Sequence, residues 1–256
     1  MQMQMLRSLK NMRGYVLGAQ DGEIGRCKDF LFDTDQWVVR YLVADTRKWL
    51  PGRKVLISPI SIGEADGTTR TLKLSLTKSQ IESAPPLDSD APVSRQYEIA
   101  FNQYYDWPPY WGGSSVWGAH PIPWMLQERM RHQQEVEREI LESADDAPNL
   151  RSAGEVTGYG IRSADDRIGH VEDFIVDTMP WMIRYLVVDT SNWLPASRKV
   201  LVAPDWVQEV NWIQKRVAVA LTKEQIKESP EYDPALPVNR EYEIALYDFY
   251  GRPYYW

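Results

Sequence analysis

The chain contains one long sequence twice. The segment that starts at Leu6-Arg7-Ser8 returns 144 residues later at Leu150-Arg151-Ser152, and after one inserted residue near Ala196 the offset becomes 145. A long fixed period predicts two copies of one folding unit. We therefore predict a first copy over residues 1–111, a second copy over residues 150–256, and a linker over residues 112–149.

Composition excludes several classes of protein. A chain of 256 residues suits two domains with one modest core each. The net charge is -7, and neither copy carries the basic excess that phosphate contacts require, so we predict no nucleic-acid partner. No stretch has the roughly 20 apolar residues that cross a bilayer, and no secretory signal is recognised. We predict a cytoplasmic protein without an integral membrane segment.

Short apolar runs predict five or six short strands in each copy, a pattern typical of a small closed barrel. The run from Val38 to Asp45 and its counterpart from Met182 to Asp189 are apolar on both faces, which predicts a strand covered on both sides. A glycine lies inside a strand pattern at Gly25 and at Gly169, which indicates a β-bulge or a close backbone approach.

Two capping boxes predict one short helix in each copy. Thr77 with Gln80, and Thr222 with Gln225, have the spacing at which hydroxyl and amide side chains cap a helix N-terminus, and a proline follows each predicted helix. In the linker, the sequence from Trp124 to Ser143 predicts a weakly amphipathic surface helix.

Each copy ends in a segment rich in proline and aromatic residues, from Tyr105 to Trp111 and from Tyr250 to Trp256. Proline restricts the backbone, and aromatic rings bury a large area with few torsions to fix. We predict an arm that crosses a barrel, either the barrel of its own copy or that of the other copy.

Carboxylates are the best candidates for an enzyme active site or a metal site. The repeated ones are Asp29, Asp33, Asp45 and Glu98, with Asp173, Asp177, Asp189 and Glu243. We expect them instead to end strands, cap turns and pair with the repeated arginines, Arg40, Arg95, Arg184 and Arg240.

No other group predicts catalysis. The three histidines, His120, His132 and His170, have no histidine counterpart in the other copy, and Cys27 is replaced by Val171. Cys27 is therefore expected to fill space, and no disulfide is predicted. We predict no catalytic residue, no cofactor and no metal.

Aromatic residues are the best candidates for an interface, because large rings act as anchors where proteins meet. The alternative is that they seal each barrel against its own arm. The candidate interface residues are Trp37, Trp49, Tyr105, Tyr110, Trp111, Trp181, Trp193, Tyr250, Tyr255 and Trp256.

The run from Asp21 to Phe30, followed by that from Trp37 to Thr46, resembles the PRC-barrel family, and the second copy repeats it. The family is named after the photosynthetic reaction centre, and it includes the cytoplasmic part of the H subunit and the C-terminal domain of the ribosome maturation factor RimM. The segments from Trp49 to Leu56 and from Trp107 to Trp111 resemble stand-alone bacterial members. The resemblance implies a fold and a general role in assembly.

Together these features predict a mainly β protein: two small PRC-type β-barrels in tandem, each with a short helix and an aromatic arm, joined by a helical linker. We expect a non-enzymatic binding or assembly module, built as a covalent pseudo-dimer whose copies pack together, with a protein partner or self-association. The alternative is a sensor or stress-associated protein that binds a small molecule or a metal between the two barrels.

Overall fold

The computed structural model describes residues 6–46, 49–88, 91–127, 149–163, 166–191 and 198–256. The chain forms two compact units. The N-terminal unit comprises Asn11–Ser152 and Met179–Met182. The C-terminal unit comprises Met1–Lys10, Ala153–Thr178 and Ile183–Trp256. Each unit therefore contains residues of both sequence copies.

Seven strands and three α-helices lie in the described residues of the first half of the chain. The strands are β1 (Leu6–Ser8), β2 (Val16–Ala19), β3 (Gly22–Asp33), β4 (Val38–Asp45), β5 (Val55–Ile57), β6 (Ile62–Asp66) and β7 (Thr71–Leu74). The helices are α1 (Leu9–Met12), α2 (Lys78–Glu82) and α3 (Arg95–Tyr105), with 3-10 helices at Pro59–Ser61 and Pro123–Gln127.

The second half repeats most of this order. The strands are β8 (Leu150–Ser152), β9 (Gly160–Arg162), β10 (Arg167–Asp177), β11 (Met182–Asp189), β12 (Lys199–Val202), β13 (Val207–Asn211) and β14 (Arg216–Val219). The helices are α4 (Ala153–Val156), α5 (Lys223–Glu228) and α6 (Arg240–Tyr250), with a 3-10 helix at Pro204–Trp206.

The sheet of the N-terminal unit is open. Its order is β5-β4-β3-β2-β7-β6, with β2 and β7 parallel. The described residues show no pairing between β5 and β6, so the predicted closed barrel is not closed by hydrogen bonds. The 3-10 helix between the two strands begins at Pro59, which has no N–H to donate. After this helix, β6 pairs antiparallel with β7 and not with β5.

The sheet of the C-terminal unit has the matching order β12-β11-β10-β9-β14-β13, with β9 and β14 parallel. Its described residues likewise show no pairing between β12 and β13. The 3-10 helix at Pro204–Trp206 stands at the place that Pro59–Ser61 takes in the other unit. Strand β11, next to the edge strand β12, is buried at the consecutive residues Leu186, Val187 and Val188, so it is covered on both faces.

The first strand of each copy lies in the unit that holds most of the other copy. Strand β1 pairs antiparallel with β10, with Leu6 opposite Asp177 and Ser8 opposite Ile175. Strand β8 pairs antiparallel with β3 in the same register, with Leu150 opposite Asp33. Because β1 and β8 are the same sequence, Leu-Arg-Ser, the two copies exchange equivalent strands.

The prediction for the two strand glycines is confirmed. Gly25 and Gly169 have φ values of 140° and 148°. A Cβ at either position would lie 2.1 Å from a backbone oxygen, that of Asp45 or of Asp189. The register of the neighbouring strands also shifts beside each glycine. Only glycine fits this combination of positive φ and close approach.

Both capping boxes are present at the N-termini of α2 and α5. The 11-residue helices α3 and α6, in contrast, were not predicted, because the sequence analysis assigned only the one short helix to each copy. The sequence features that mark the start of these helices are the N-cap residues Ser94 and Asn239. Each side chain accepts a hydrogen bond from the backbone N–H of the third residue of its helix.

In the predicted linker helix, the described part is the 3-10 helix Pro123–Gln127, and residues 128–143 lie outside the described residues. Within the described part of the chain, no helix is both long enough and apolar enough to cross a membrane.

Candidate functional site: a buried glutamate that holds the aromatic arm

A buried carboxylate joins helix α3, strand β4 and the aromatic arm of the N-terminal unit. Glu98 is fully buried on the inward face of α3. Its Oε1 accepts hydrogen bonds of 3.0 Å from the hydroxyls of Tyr41 on β4 and of Tyr110 on the arm. Its Oε2 accepts a 2.7 Å hydrogen bond from Nη1 of Arg95, one turn earlier on the helix. Both oxygens of the carboxylate are therefore engaged by the protein.

The C-terminal unit repeats this arrangement. Glu243 on α6 accepts hydrogen bonds of 2.7 Å at Oε1 from the hydroxyls of Tyr185 and Tyr255. Arg240 lies 3.2 Å from its Oε2. Tyr185 belongs to β11 and Tyr255 to the arm, so the same three elements are joined in each unit. The arms therefore contact the sheets and helices of their own copies.

Arginine side chains stack on the rings of both arms. The guanidinium carbon of Arg40 lies 3.9 Å from the ring centre of Tyr110, and that of Arg184 lies 4.2 Å from that of Tyr255. The tryptophan that follows each of these tyrosines is also covered by an arginine: Arg95 lies 4.0 Å from the ring centre of Trp111, and Arg240 lies 3.8 Å from that of Trp256. A cation over an aromatic face is attracted by the ring quadrupole, which adds to the hydrogen bonds of the arm.

Burial dominates the electrostatics of the Glu98 cluster. It raises the pKa of Glu98 to about 7, although Arg95 and the hydroxyls of Tyr110 and Tyr41 favour the ionised form. Burial also raises the pKa of Tyr41 and of Tyr110, and the nearby Glu98 adds to both shifts. The two phenols therefore stay protonated at neutral pH and act as donors, so the cluster holds the arm by hydrogen bonds.

The predicted pairing of carboxylates with repeated arginines is confirmed for four residues. Glu98 and Glu243 pair as described above. Asp33 lies 2.9 Å from Nη2 of Arg40, and Asp177 lies 3.4 Å from Nη2 of Arg184. Asp33 also accepts a 2.8 Å hydrogen bond from the N–H of Asp35 in the turn that follows β3, so it caps this turn as expected.

Asp29 and Asp173 instead bind the exchanged strands. Oδ2 of Asp173 accepts a 2.5 Å hydrogen bond from the hydroxyl of Ser8, and its Oδ1 accepts one of 2.9 Å from the N–H of Lys10. In the other unit, Asp29 accepts a hydrogen bond from the hydroxyl of Ser152 and lies 3.0 Å from Nη2 of Arg13. The hydrogen bonds to Ser8, Lys10 and Ser152 join residues of different copies, so the sequence alone gives no sign of them, whereas Arg13 belongs to the same copy as Asp29.

Asp45 and Asp189 end strands β4 and β11, and their carbonyls face the two strand glycines. Asp189 caps the following turn, where Oδ1 accepts a 2.7 Å hydrogen bond from the N–H of Ser191. In the part of the chain that the structure describes, no three His, Cys, Asp or Glu side chains are grouped to hold a metal ion. His120 and His170 lie in different units, and His132 lies outside the described residues.

The aromatic candidates divide between sealing rings and exposed rings. Trp37 and Trp181 occupy equivalent turns with φ values of 57° and 56°, and Trp181 is buried, whereas Trp37 is half-buried and stacks on Phe32. Tyr105 is half-buried and stacks on Trp107, and Tyr250 is buried. Trp256 is 45% exposed, which makes it the most exposed of the described candidates. Trp193 lies outside the described residues.

Trp117 is a buried aromatic residue that sequence analysis did not select. It lies after the first arm, is 1% exposed, and donates a 2.7 Å hydrogen bond from Nε1 to the carbonyl of Pro180 within the N-terminal unit. Arg40 stacks between Trp117 and Tyr110, and its Nη1 donates to the carbonyl of Val116. The residues that follow the first arm therefore cover it.

Trp49 lines a cavity of about 570 Å³ in the N-terminal unit, together with Gly25, Asp45 and Thr46. The Oγ1 atom of Thr46 is buried there and has no hydrogen-bond partner among the described residues. The equivalent hydroxyl of Thr190 donates a 2.9 Å hydrogen bond to the carbonyl of Arg198. The two copies therefore differ at this position.

One comparison with known proteins finds a family model that matches part of the second copy. The model of the PRC-barrel domain matches residues 148–226, which include strands β8 to β14. No curated protein matched the chain. Helix α6 and the second aromatic arm lie beyond the matched range. The chain is thus similar to the PRC-barrel domain over residues 148–226, and the structure places the first strand of this range, β8, in the N-terminal unit.

Proposed function

We propose that the chain is a non-enzymatic binding or assembly module in which two PRC-type copies act as a covalent pseudo-dimer. The observation that carries this proposal is the reciprocal position of β1 and β8, each paired with the long strand of the other copy. Exchange of identical elements is how many homodimers form, and a duplication that joins two such protomers retains the exchange within one chain.

The buried glutamates favour a structural role over catalysis. In each glutamate one oxygen accepts hydrogen bonds from two tyrosines and the other forms an ion pair with an arginine, so neither carboxylate is presented to a substrate. Arg40 and Arg184, which stack on the arm tyrosines, also favour a structural role, because they hold the arm in place and do not line an open cleft. A PRC-barrel domain at residues 148–226 agrees with a general role in binding or assembly.

Cleavage between the copies tests the pseudo-dimer. A specific protease site is inserted between residues 128 and 148, and the cut protein is examined by native mass spectrometry. We expect the two fragments to remain together, because each supplies a strand to the unit of the other. In a control with Arg7→Pro and Arg151→Pro, the exchanged strands lose backbone donors, and the fragments should separate. Separation without the proline substitutions would contradict the proposal.

We further propose that the exposed aromatic residues at the end of the second arm contact a protein partner or another copy. Trp256 and Tyr254 are 45% and 44% exposed and stack with ring centres 4.7 Å apart. Native mass spectrometry of the protein isolated from its own cells should show a second polypeptide or a second copy at fixed stoichiometry. Trp256→Ala should lower this occupancy, whereas Ile213→Ser, at a fully exposed apolar residue outside the cluster, should not.

The second candidate is a small-molecule sensor, which the cavity beside Trp49 favours because it contains the unpartnered hydroxyl of Thr46. In the same native spectra, a reproducible small added mass that Thr46→Val removes would support the sensor. The bare mass of the chain would argue against it.

A further inference from the structure

Three arginines lie together on the outer face of the C-terminal unit. Arg162 on β9 is directly opposite Arg167 on β10, and Arg216 on β14 is opposite Gly160, two residues before Arg162. The intervening residues Ile161 and Val217 are buried, so alternation directs all three arginines to the solvent side.

Lys215 adds a fourth cation to this face. The four side chains line a concavity of about 400 Å³ together with Asp166 and Gly160. Asp166 is already paired with Lys223, with Oδ2 and Nζ 2.8 Å apart. Gly160 has no side chain, which leaves room for the guanidinium of Arg167 across β9. Among the described residues, the lining therefore contains four cations and one acid, which is engaged by a fifth cation.

The arginines form no direct ion pair with a described residue. Arg162 is close enough to Asp166 to help Lys223 lower the pKa of that carboxylate, and Arg216 has a 3.4 Å contact with the neutral amide of Gln214. Like charges directly opposite each other on neighbouring strands destabilise a sheet. The net charge of the chain is -7, so this concentration of positive charge runs against the balance of the whole sequence.

The first copy provides an internal comparison. The residues in register with Arg162 and Arg167 are Gly18 and Glu23, which form the same cross-strand pair. Arg216 corresponds to Thr71, and Lys215 corresponds to Arg70, which stacks on Tyr15 with 5.3 Å between the guanidinium and the ring centre. The shared backbone therefore does not require the three arginines, which belong to the second copy alone, whereas the cation at Lys215 has a counterpart in Arg70.

We propose that this basic face, formed by Arg162, Arg167, Lys215 and Arg216, binds a phosphate-bearing ligand. Guanidinium groups donate two parallel hydrogen bonds to phosphate oxygens, and three of them converge here from adjacent strands. A multiply charged anion removes the repulsion between Arg162 and Arg167. The site lies within one unit, and it is independent of the pseudo-dimer and of any protein partner.

Calorimetric titration of the full chain with inorganic diphosphate tests the proposal at about 20 mM salt, where screening is weak. We expect one site per chain and an affinity that falls as salt is added. The double variant Arg162→Gln/Arg216→Gln should weaken binding roughly a hundredfold, about tenfold for each charged donor removed. Lys215→Gln should weaken it less, because a lysine provides a point charge without a fork.

Arg70→Gln is the matched control, since it removes the cation at the equivalent position of the first copy. It should leave the diphosphate affinity unchanged. Thermal melting without ligand provides a second readout: Arg162→Gln should melt no lower than the wild type, because it relieves the repulsion from Arg167. A variant that loses binding while retaining its melting temperature excludes unfolding as the cause.

Vesicles with and without a phosphoinositide separate two sources of the phosphate group. Binding to diphosphate that the double variant loses supports a soluble phosphate compound, and vesicle binding that the same variant loses assigns the phosphate to a lipid headgroup. The proposal is overturned if neither diphosphate nor vesicles bind, or if the double variant binds as the wild type does.

Discussion

The hydroxyl of Ser8 donates a 2.5 Å hydrogen bond to Oδ2 of Asp173, which lies 165 residues further along the chain. Ser152 makes the equivalent hydrogen bond to Asp29 in the other unit. Each exchanged strand therefore ends in a serine whose side chain binds an aspartate of the other copy, in addition to the backbone pairing of the strand. Asp29 and Asp173, which were candidates for an active site in the sequence, hold the first strand of the other copy in place.

Removal of this anchor should destabilise the C-terminal unit. Asp173→Ala removes the acceptor for the Ser8 hydroxyl and for the N–H of Lys10, both of which lie in a largely buried setting. We expect a loss of about 2 kcal/mol or more in the free energy of unfolding, measured by urea denaturation. Glu209→Ala, at an exposed residue of β13, should change it little. Equal losses in the two variants would show that the anchor contributes nothing.

Two glycines with positive φ should respond differently to alanine. At Gly25 a Cβ would lie 2.1 Å from the carbonyl oxygen of Asp45, whereas at Gly14, with φ of 81°, it would meet nothing within 4 Å. Gly14→Ala should cost roughly 1 kcal/mol, from the backbone conformation alone. Gly25→Ala should cost at least about 3 kcal/mol, because the strands must also separate. Similar costs in urea denaturation would refute the close approach.

Glu98 should make stability depend on pH. Its ordinary pKa of 4.5 is raised to about 7 in the folded chain, mainly by burial. Between these values the unfolded chain has lost the proton that the folded chain retains, so the free energy of unfolding falls as pH rises from about 4.5 to about 7. The slope from this one residue is at most about 1.4 kcal/mol per pH unit.

Urea denaturation at pH 5 and pH 7 measures this slope. Glu98→Gln cannot ionise, so this variant should lack the contribution, while the exposed Glu209→Gln should keep the pH dependence of the wild type. Identical pH dependence in Glu98→Gln and the wild type would show that Glu98 does not retain its proton on folding.

Cys27 should be inert until the protein unfolds. The thiol is buried, and burial together with Asp29 raises its pKa to about 12, so little thiolate exists at neutral pH. A chromogenic thiol reagent should react with Cys27 only in denaturant. Cys27→Val introduces the residue of the second copy, Val171, which is fully buried at the equivalent position, and it should change the free energy of unfolding by less than about 1 kcal/mol. Rapid labelling of the native protein would show that the thiol is accessible.

Several local features were predictable because their causes are local. The strand Val38–Asp45 matches its apolar run, and the capping boxes at Thr77 and Thr222 start helices where the spacing placed them. Helix α3 was missed, since the aromatic and proline residues around it led us to expect an extended arm; its cap at Ser94 was present in the sequence but was not used. The pairing of Glu98 with Arg95 follows from their spacing of one helical turn, and this spacing predicts a contact only if the segment is known to be helical.

By itself, the sequence determined the repeat, the strand pattern and the glycines that no other residue can replace, because each depends on periodicity or on backbone conformation within a few residues. Only the tertiary structure decided which copy each first strand completes, since β1 and β8 have the same sequence and either pairing satisfies the same hydrogen bonds. The tertiary structure also placed Arg216 on the same face as Arg162 and Arg167, because the parallel pairing of β14 with β9 joins residues that lie about fifty positions apart in an acidic chain.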